Sequence, residues 1–340
     1  MEYGAIDLHT RRSQIRIVSE EGAVVLDRRI DTRAPAFTRV FGERPPMRIL
    51  LESGTESEWV AQGLEALGHD VIVADPNFVA MYGERTRRIK TDRRDVAALA
   101  RACRTGVYRR AHRIGAATRV RRQQLRIREQ LVRTRTSTVN ALRAILRQQG
   151  LRLATGHPET ILARLATLDL DDTVQAVLAP LIAVLRALAT ELRTADRWAT
   201  TTAEADPTTH RLMTVPGVGP VTALTYAATL DTPERFGGEA ARASAYLGLV
   251  PREYSSGERQ HRGRITKAGP PTVRSLLVQA AWSIWIRPGV AGATLHAWVT
   301  RLAARRGRRV AIVALARRVG RILFAVWRDA VPFRVAPRAA

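Results

Sequence analysis

Tyr3-Gly-Ala-Ile-Asp7 and Met47-Arg-Ile-Leu-Leu51-Glu52 are two short apolar runs that each end on an acid, and they decide the fold of the first third of the chain. Each is the length of one strand, and turn residues break it at once: Leu8-His9-Thr10 after Asp7, Ser53-Gly54-Thr55 after Glu52. Asp7 and Glu52 are therefore predicted at the carboxyl ends of buried strands. Similar runs predict strands near 14 to 18, 23 to 30 and 70 to 74, and helices near 57 to 67 and 92 to 105. The first three strands are joined too closely for crossovers, so they form an antiparallel meander within a mixed sheet flanked by helices.

Lys90-Thr-Asp-Arg-Arg-Asp95 leads into the second of these helices, and i,i+3 spacing puts Asp92 and Asp95 on one face of its first turn. Open α/β sheets hold their ligands outside the carboxyl ends of the strands, so Asp7, Glu52, Asp92 and Asp95 are expected to converge there. Hard divalent cations such as Mg²⁺ prefer carboxylate oxygens, and a cluster of this kind can stabilise the attacking and leaving oxygens of a phosphodiester. Singly, each acid reads equally well as a helix cap, an ion-pair partner or a turn residue. The ordered set of four favours a metal site.

The 340 residues, 46% of them hydrophobic, suffice for a sizeable core and predict two or three domains. Lys and Arg outnumber Asp and Glu by 55 to 31, a formal charge of +24 that attracts polyanions, with DNA or RNA the natural partner. Lys90 and Lys267 are the only lysines. Each is a compact point charge suited to phosphate, Lys90 beside the acidic pair and Lys267 within Gly263-Arg-Ile-Thr-Lys-Ala-Gly269. No apolar run is expected to reach the roughly 18 residues that span a membrane, and no leading segment reads as a signal peptide. Cys103 is the single cysteine, which excludes an intrachain disulfide framework and a cysteine zinc cluster and fits a reducing cytoplasm.

Three domains follow: 1–113 with the acids, a helical connector over 114–205, and a mostly helical region over 206–340. The connector begins with a long basic helix, about 116 to 149, in which Leu125, Val132, Val139 and Leu146 lie seven apart. A second arm, about 173 to 203, carries Val174, Leu178, Leu181, Leu185, Leu188, Leu192 and Ala195 at alternating steps of four and three, the spacing of a coiled-coil seam. The two arms read as an antiparallel hairpin, packed on itself or between subunits, or equally as a plain amphipathic bundle. Pro216-Gly-Val-Gly219 joins two short helices; Gly217 and Gly219 can bring backbone N–H groups to a phosphate, or simply stop a helix. Ala280-Ala-Trp-Ser-Ile-Trp285 reads as core.

A loop is predicted over 250 to 269. Tyr254-Ser-Ser-Gly257 is by itself a turn signal, but Arg252, Arg259, His261, Arg262 and Arg264 surround it. A serine among guanidiniums is what covalent attack on a phosphodiester requires.

Asp7, Leu51-Glu-Ser-Gly54, Lys90-Thr-Asp-Arg-Arg-Asp95, Val215-Pro-Gly-Val-Gly219, Gly248-Leu-Val-Pro-Arg252, Tyr254-Ser-Ser-Gly257 and Ile265-Thr-Lys-Ala-Gly269 together resemble the insertion-sequence-one-ten family of transposases, relatives of the Piv site-specific invertases. The resemblance covers nearly the whole chain. It implies a RuvC-like, ribonuclease H-like domain whose tetrad Asp7, Glu52, Asp92 and Asp95 binds Mg²⁺, a coiled-coil connector, and a carboxy-terminal transposase domain in which Ser256 is the nucleophile. Lys90, Arg93, Gly217, Gly219, Arg252, Arg259, Arg262, Arg264 and Lys267 are the residues expected to contact nucleic acid. The implied partners are donor and target DNA and a structured bridge RNA that pairs with both. Homodimers assembling to a homotetramer, with tetrad and serine drawn from different subunits, and a bacterial cytoplasmic, nucleoid-associated setting complete what the resemblance implies. Thr10 and Val96 depart from residues frequent in the family without touching a ligand or the nucleophile. Two other readings remain: a RuvC-like nuclease or junction resolvase in which water attacks, and a nucleic-acid-binding protein without catalysis.

Overall fold

A computed structural model describes residues 1–82, 92–254 and 262–334. Contacts divide the chain into two compact units, Met1–Arg113 and Ile114–Ala340.

In the first unit β1 (Tyr3–Asp7), β2 (Arg12–Val18), β3 (Val24–Asp31), β4 (Arg48–Glu52) and β5 (Asp70–Ala74) form a sheet of order β3-β2-β1-β4-β5. The meander β1–β2–β3 is antiparallel, while β4 and β5 run parallel to β1. Parallel pairing needs crossovers, supplied by α1 (Ala34–Phe41) and α2 (Ser57–Ala66). One face of the sheet, with Ile6, Ile15, Ile17, Ile49, Leu51 and Val73, packs on Phe37, Phe41, Val60 and Leu64 of these helices. The other face, with Ala5, Leu50, Ile72 and Ala74, packs on α3 (Asp92–Thr105) through Val96, Leu99, Ala100 and Cys103. The central strands are thus covered on both sides, which is why β1 and β4 read as continuous apolar runs rather than alternating ones.

The second unit opens with α4 (Ala116–Gln148), a short α5 (Ile161–Leu165) and α6 (Asp172–Ala205). Val139, Leu142 and Leu146 share a core with Val174, Leu178 and Leu185, whereas Leu125, near the other end of α4, meets Ala199 and Ala203. The two long helices are therefore antiparallel. Asp171 caps α6 by accepting from the Val174 N–H at 2.8 Å. Then come α7 (Pro207–Leu212), α8 (Pro220–Leu230), α9 (Ala240–Tyr246), a two-stranded hairpin of β6 (Pro251–Glu253) and β7 (Arg262–Ile265), α10 (Pro271–Ile286), α11 (Gly289–Arg306) and α12 (Arg308–Arg328). These helices enclose one core around Tyr226, Leu277, Leu315 and Phe324, in which the Tyr226 hydroxyl donates to the Gly320 carbonyl at 2.7 Å. Trp282 and Trp285 pack partly buried against that core, as read from the sequence.

Several expectations change. Helix α1 was not foreseen, although Pro35 in its first turn and Phe37 and Phe41 four apart are helix signals. The segment 250 to 269 is not simply a loop: β6 and β7 pair through their backbones, and Arg262-Gly-Arg-Ile265 lacks the apolar alternation that marks a strand. In α6 the buried stripe continues through Ala199 and Ala203, while Leu181 and Ala195 are only partly buried. Helix α6 is also long and apolar enough to cross a membrane by length and composition, with a mean hydropathy of 1.7 over its most apolar stretch, so the expectation that no run reaches that length fails. The run is dense in Ala, Leu and Val, with Gln175 and Arg186 as its polar interruptions. Of the predicted seam, Val174, Leu178 and Leu185 share a buried core with Val139, Leu142 and Leu146 of α4, and Leu181 packs against it.

Leu142 is fully buried between α4 and α6. Leu142→Ala is expected to lower stability by about 2–5 kcal/mol in urea denaturation, whereas Val177→Ala, on the exposed side of α6, changes it by less than about 0.5 kcal/mol.

Candidate active site

Strand alternation and one helix stripe bring the acids together. Ala5 and Leu50 point toward α3, so two residues further on Asp7 and Glu52, the last residues of β1 and β4, face the same way at adjacent strand ends. Val96, Leu99, Ala100 and Cys103 fix α3 on that face, and its first turn then carries Asp92 and Asp95 to the strand ends. Asp95 is buried, and Asp7, Glu52 and Asp92 are half-buried.

The charges register one another. Burial is the largest cause raising the Asp7 carboxyl above its ordinary value of 3.8; His9 opposes it, and Glu52, Asp95 and Asp92 each raise it further. His9 Nε2 lies 3.4 Å from Asp7 Oδ2 and 3.6 Å from Asp92 Oδ1. Ligand atoms of Asp7, His9 and Asp92 all lie within 4.8 Å of one another, a set able to hold a metal ion. Arg29 stands 3.6 Å from Asp92 Oδ2, and the Tyr82 hydroxyl donates to Glu52 Oε1. This set of two carboxylates and one imidazole, with Glu52 and Asp95 beside it, can take a divalent cation. Such a cation would neutralise charge on a phosphate that the acids alone would repel.

His9, Arg29 and Tyr82 were missed as site residues. The register could have found Arg29: Asp7 pairs with Gln14 and Gln14 with Arg29, so the three form one row across β1, β2 and β3. His9, two residues after Asp7, reads in sequence as part of the turn Leu8-His9-Thr10.

Among the residues expected to contact nucleic acid, Arg93 is exposed on the first turn of α3. Gly217 lies in the turn between α7 and α8 with φ +75°, and a Cβ there would stand 2.5 Å from the Ala280 carbonyl oxygen. Its backbone approach is therefore to α10. Gly219 caps α8 in open space. Arg252 and Arg264 are exposed on β6 and β7, and Lys267 is exposed just beyond, at φ +57°. Lys90, Ser256 and Arg259 lie outside the described residues, as does the side chain of Arg262.

The two motifs that flank Ser256 in sequence form the base of the β6–β7 hairpin. The Thr266 N–H donates to the Val250 carbonyl at 2.8 Å, and that of Lys267 to Gly248 at 3.1 Å. Gly248, at φ +67°, would place a Cβ 2.7 Å from the Ala268 nitrogen, and a Cβ on Gly269 would stand 1.7 Å from the Tyr246 carbonyl oxygen. Arg274 Nη1 donates to the Leu247 and Gly269 carbonyls at 3.1 and 3.0 Å, tying the two segments together.

Comparison with known proteins adds the following. Residues 209–293 match the family model described as "Transposase IS116/IS110/IS902 family", and residues 5–150 match a transposase model of the DEDD, IS110 type. The chain is 30% identical over 333 residues to a "Probable family 20 transposase" of Pseudomonas aeruginosa, covering 94% of this chain and 95% of that protein. It is 26% identical over 328 residues to the "Transposase for insertion sequence element IS1328" of Yersinia enterocolitica, with 94% and 95% covered. With the "Transposase for insertion sequence element IS1111A" of Coxiella burnetii the identity is 28% over 334 residues, covering 94% and 88%.

Two outcomes follow from this geometry. The folded carboxyl of Asp7 titrates above its unfolded value, so the fold holds the extra proton between the two values; stability of the metal-free protein falls as pH rises through that window and stays lower above it. Asp7→Asn is expected to raise the melting temperature in chelator at neutral pH by about 2–4 °C, with the difference vanishing below the window, as calorimetry across pH reads directly. Gly269→Ala is expected to destabilise by more than about 2 kcal/mol in urea titration, against about 1 kcal/mol or less for Gly219→Ala.

Proposed function

Because the chain belongs to the IS110/IS116/IS902 family of transposases, enzymes that act on DNA, we propose that it cuts and exchanges DNA strands with two chemical elements, the tetrad Asp7, Glu52, Asp92 and Asp95 and the nucleophile Ser256. The observation that carries this reading is the approach of two strand-end acids and two helix-start acids on one face of the sheet, where burial first, and then Glu52, Asp95 and Asp92, raise the Asp7 carboxyl. The sheet order, an antiparallel meander continued by two parallel strands with helices on both faces, supports a RuvC-like assignment of residues 1–113. Residues 114–205 form the coiled-coil connector and 206–340 the serine domain.

The tetrad would hold Mg²⁺, which supplies charge neutralisation at the scissile phosphate and at the departing oxygen. The rest belongs to the chain. His9, between Asp7 and Asp92, orients both carboxylates. Tyr82 fixes the rotamer of Glu52 by its hydrogen bond. Ser256 Oγ bonds to phosphorus as the P–O3′ bond breaks; the serine loses its proton and the 3′ oxygen leaves as a hydroxyl, giving a phosphoserine. Arg252, Arg259, Arg262 and Arg264, with Lys267, stabilise the charge that grows on the phosphoryl oxygens, and Lys90 and Arg93 do the same beside the tetrad. The backbone at Gly219, which caps α8 in open space, adds a contact to the duplex, while Gly217 holds the turn against α10.

A structured bridge RNA selects donor and target by base pairing, and the +24 charge serves both nucleic acids. The active form is a homodimer that assembles to a homotetramer in the bacterial cytoplasm, on the nucleoid.

Ser256→Ala is expected to abolish both strand exchange and the covalent protein–DNA adduct seen on denaturing gels. Recombination at the wild-type level would leave a water-mediated nuclease, or junction resolvase, as the correct reading. Asp92→Asn is expected to reduce strand exchange by more than about 100-fold, beyond the 10–100-fold typical of outer-shell partners, without loss of fold. Sequencing of RNA that co-purifies with the protein should return one defined structured species; a random sample of cellular RNA would remove the guide.

A further inference from the structure

Between the edge strand β3 and α1 lies a groove of about 560 Å³, and half of its ten lining residues are arginines: Arg12, Arg28, Arg29, Arg33 and Arg39. Asp31 is the one acid there, and Arg12 and Arg33 both pair with it. Asp31, with Asp92 beyond the groove on Arg29, cannot neutralise five guanidiniums, so the groove keeps a positive potential. The arginines are not folded into the protein: the side chains of Arg12, Arg29 and Arg33 are 66%, 56% and 69% exposed. Helix α1 starts at the same place with no acid in its first turn and no side-chain cap, which adds to the positive field.

The groove meets the face that carries the acids at the sheet edge, where Arg12, Arg29 and Asp31 lie on that face and Arg28 and α1 on the opposite one. Arg29 lines it and also reaches Asp92. Arg29, Gln14 and Asp7 form one row of the sheet, and Arg12 lies on the same face two residues along β2, roughly 7 Å away. A cationic track thus leaves the acids and runs across the sheet to its edge. Acids and arginines so joined make opposite demands on one ligand: the phosphate at the acids needs a cation between, while its neighbours along the strand bind guanidinium directly.

We infer that this groove seats the phosphodiester backbone of the strand whose scissile phosphate lies at the tetrad, using Arg12, Arg28, Arg33 and Arg39 for the flanking phosphates and Arg29 to join the groove to the site. The inference rests on the tetrad being the place of cutting. Recognition here is of backbone charge, so it carries no base sequence.

The test compares the wild-type protein with the triple variant R12Q/R28Q/R39Q by fluorescence anisotropy, using a labelled single-stranded oligodeoxynucleotide and an oligoribonucleotide of the same sequence over a salt series. Loss of three phosphate contacts on a single strand is expected to flatten the slope of log K against log salt by about 2 and to weaken binding about tenfold or more at low salt for the DNA probe. A change confined to the RNA probe would overturn the proposal, because the strand cut at the tetrad is DNA. R12K/R28K/R39K, which keeps the charge, should retain the slope. Unchanged slope and affinity on both probes would overturn the groove.

Crosslinking keeps the test decisive if the triple variant misfolds. Cys103, the only cysteine, is buried and its thiol is pushed up to about 12, so the wild type does not react. An Arg39→Cys variant should undergo thiol–disulfide exchange with DNA whose backbone carries an activated thiopyridyl disulfide tether, releasing thiopyridone, in far higher yield than Thr200→Cys on exposed α6. Equal yields would also overturn the groove. Strand exchange by Asp92→Asn separates the two readings: if that variant stays active while groove variants lose binding, the tetrad assignment fails and the groove stands.

Discussion

The apolar stripe of α3 on the sheet is the contact on which the candidate site depends. Four carboxylates repel one another, and a like-charged pair at about 4 Å opposes the fold by up to about 4 kcal/mol near a protein surface. Val96, Leu99, Ala100 and Cys103 are buried against Ala5, Leu50 and Ile72, and the larger of them contribute about 1.5–3 kcal/mol each. The stripe continues directly into Asp92 and Asp95, so the helix cannot bury its apolar residues without presenting its acids. His9 and Arg29 relieve part of the charge from the other side.

The candidate site was legible in sequence where it follows from local rules. Asp7 and Glu52 stand where apolar runs meet turn residues, and the strands and helices predicted around them are found within one or two residues of their observed ends. What was not legible depends on pairing. Arg29 reaches the acids through a register that links three strands, and no local signal in Arg28-Arg29 separates it from the other arginines of an arginine-rich chain. Tyr82 meets Glu52 across thirty residues of sequence. The β6–β7 hairpin escaped for a related reason, since it is held by backbone hydrogen bonds and by close approach at Gly248 and Gly269. Helix α6 shows the converse: composition alone admits a membrane span, and only the partners of Leu178 and Leu185 show where its seam is buried.

The two motif sets obey different physics. Around the tetrad the constraint is charge, and the side chains that matter are strained by their neighbours' fields rather than by their backbones. An uncharged isostere there relieves the fold while removing what a cation would need. Around the hairpin base the constraint is volume. Gly217, Gly248 and Gly269 sit where a single methyl group would enter another segment's backbone, so these positions are set by folding before any ligand is considered.

The same contrast bears on how a cationic protein builds specificity for one strand path. With so many arginines, a basic surface alone marks nothing, because most of it is solvated charge that any polyanion can screen. Concavity and a residue shared with the acids are what distinguish one patch. The groove beside β3 has both: it is shaped by the sheet edge and α1, and it shares Arg29 with the site. An edge strand carrying Arg28 and Arg29 is also poorly suited to pairing with another chain, so these charges protect the edge while leaving it open to a backbone of opposite sign.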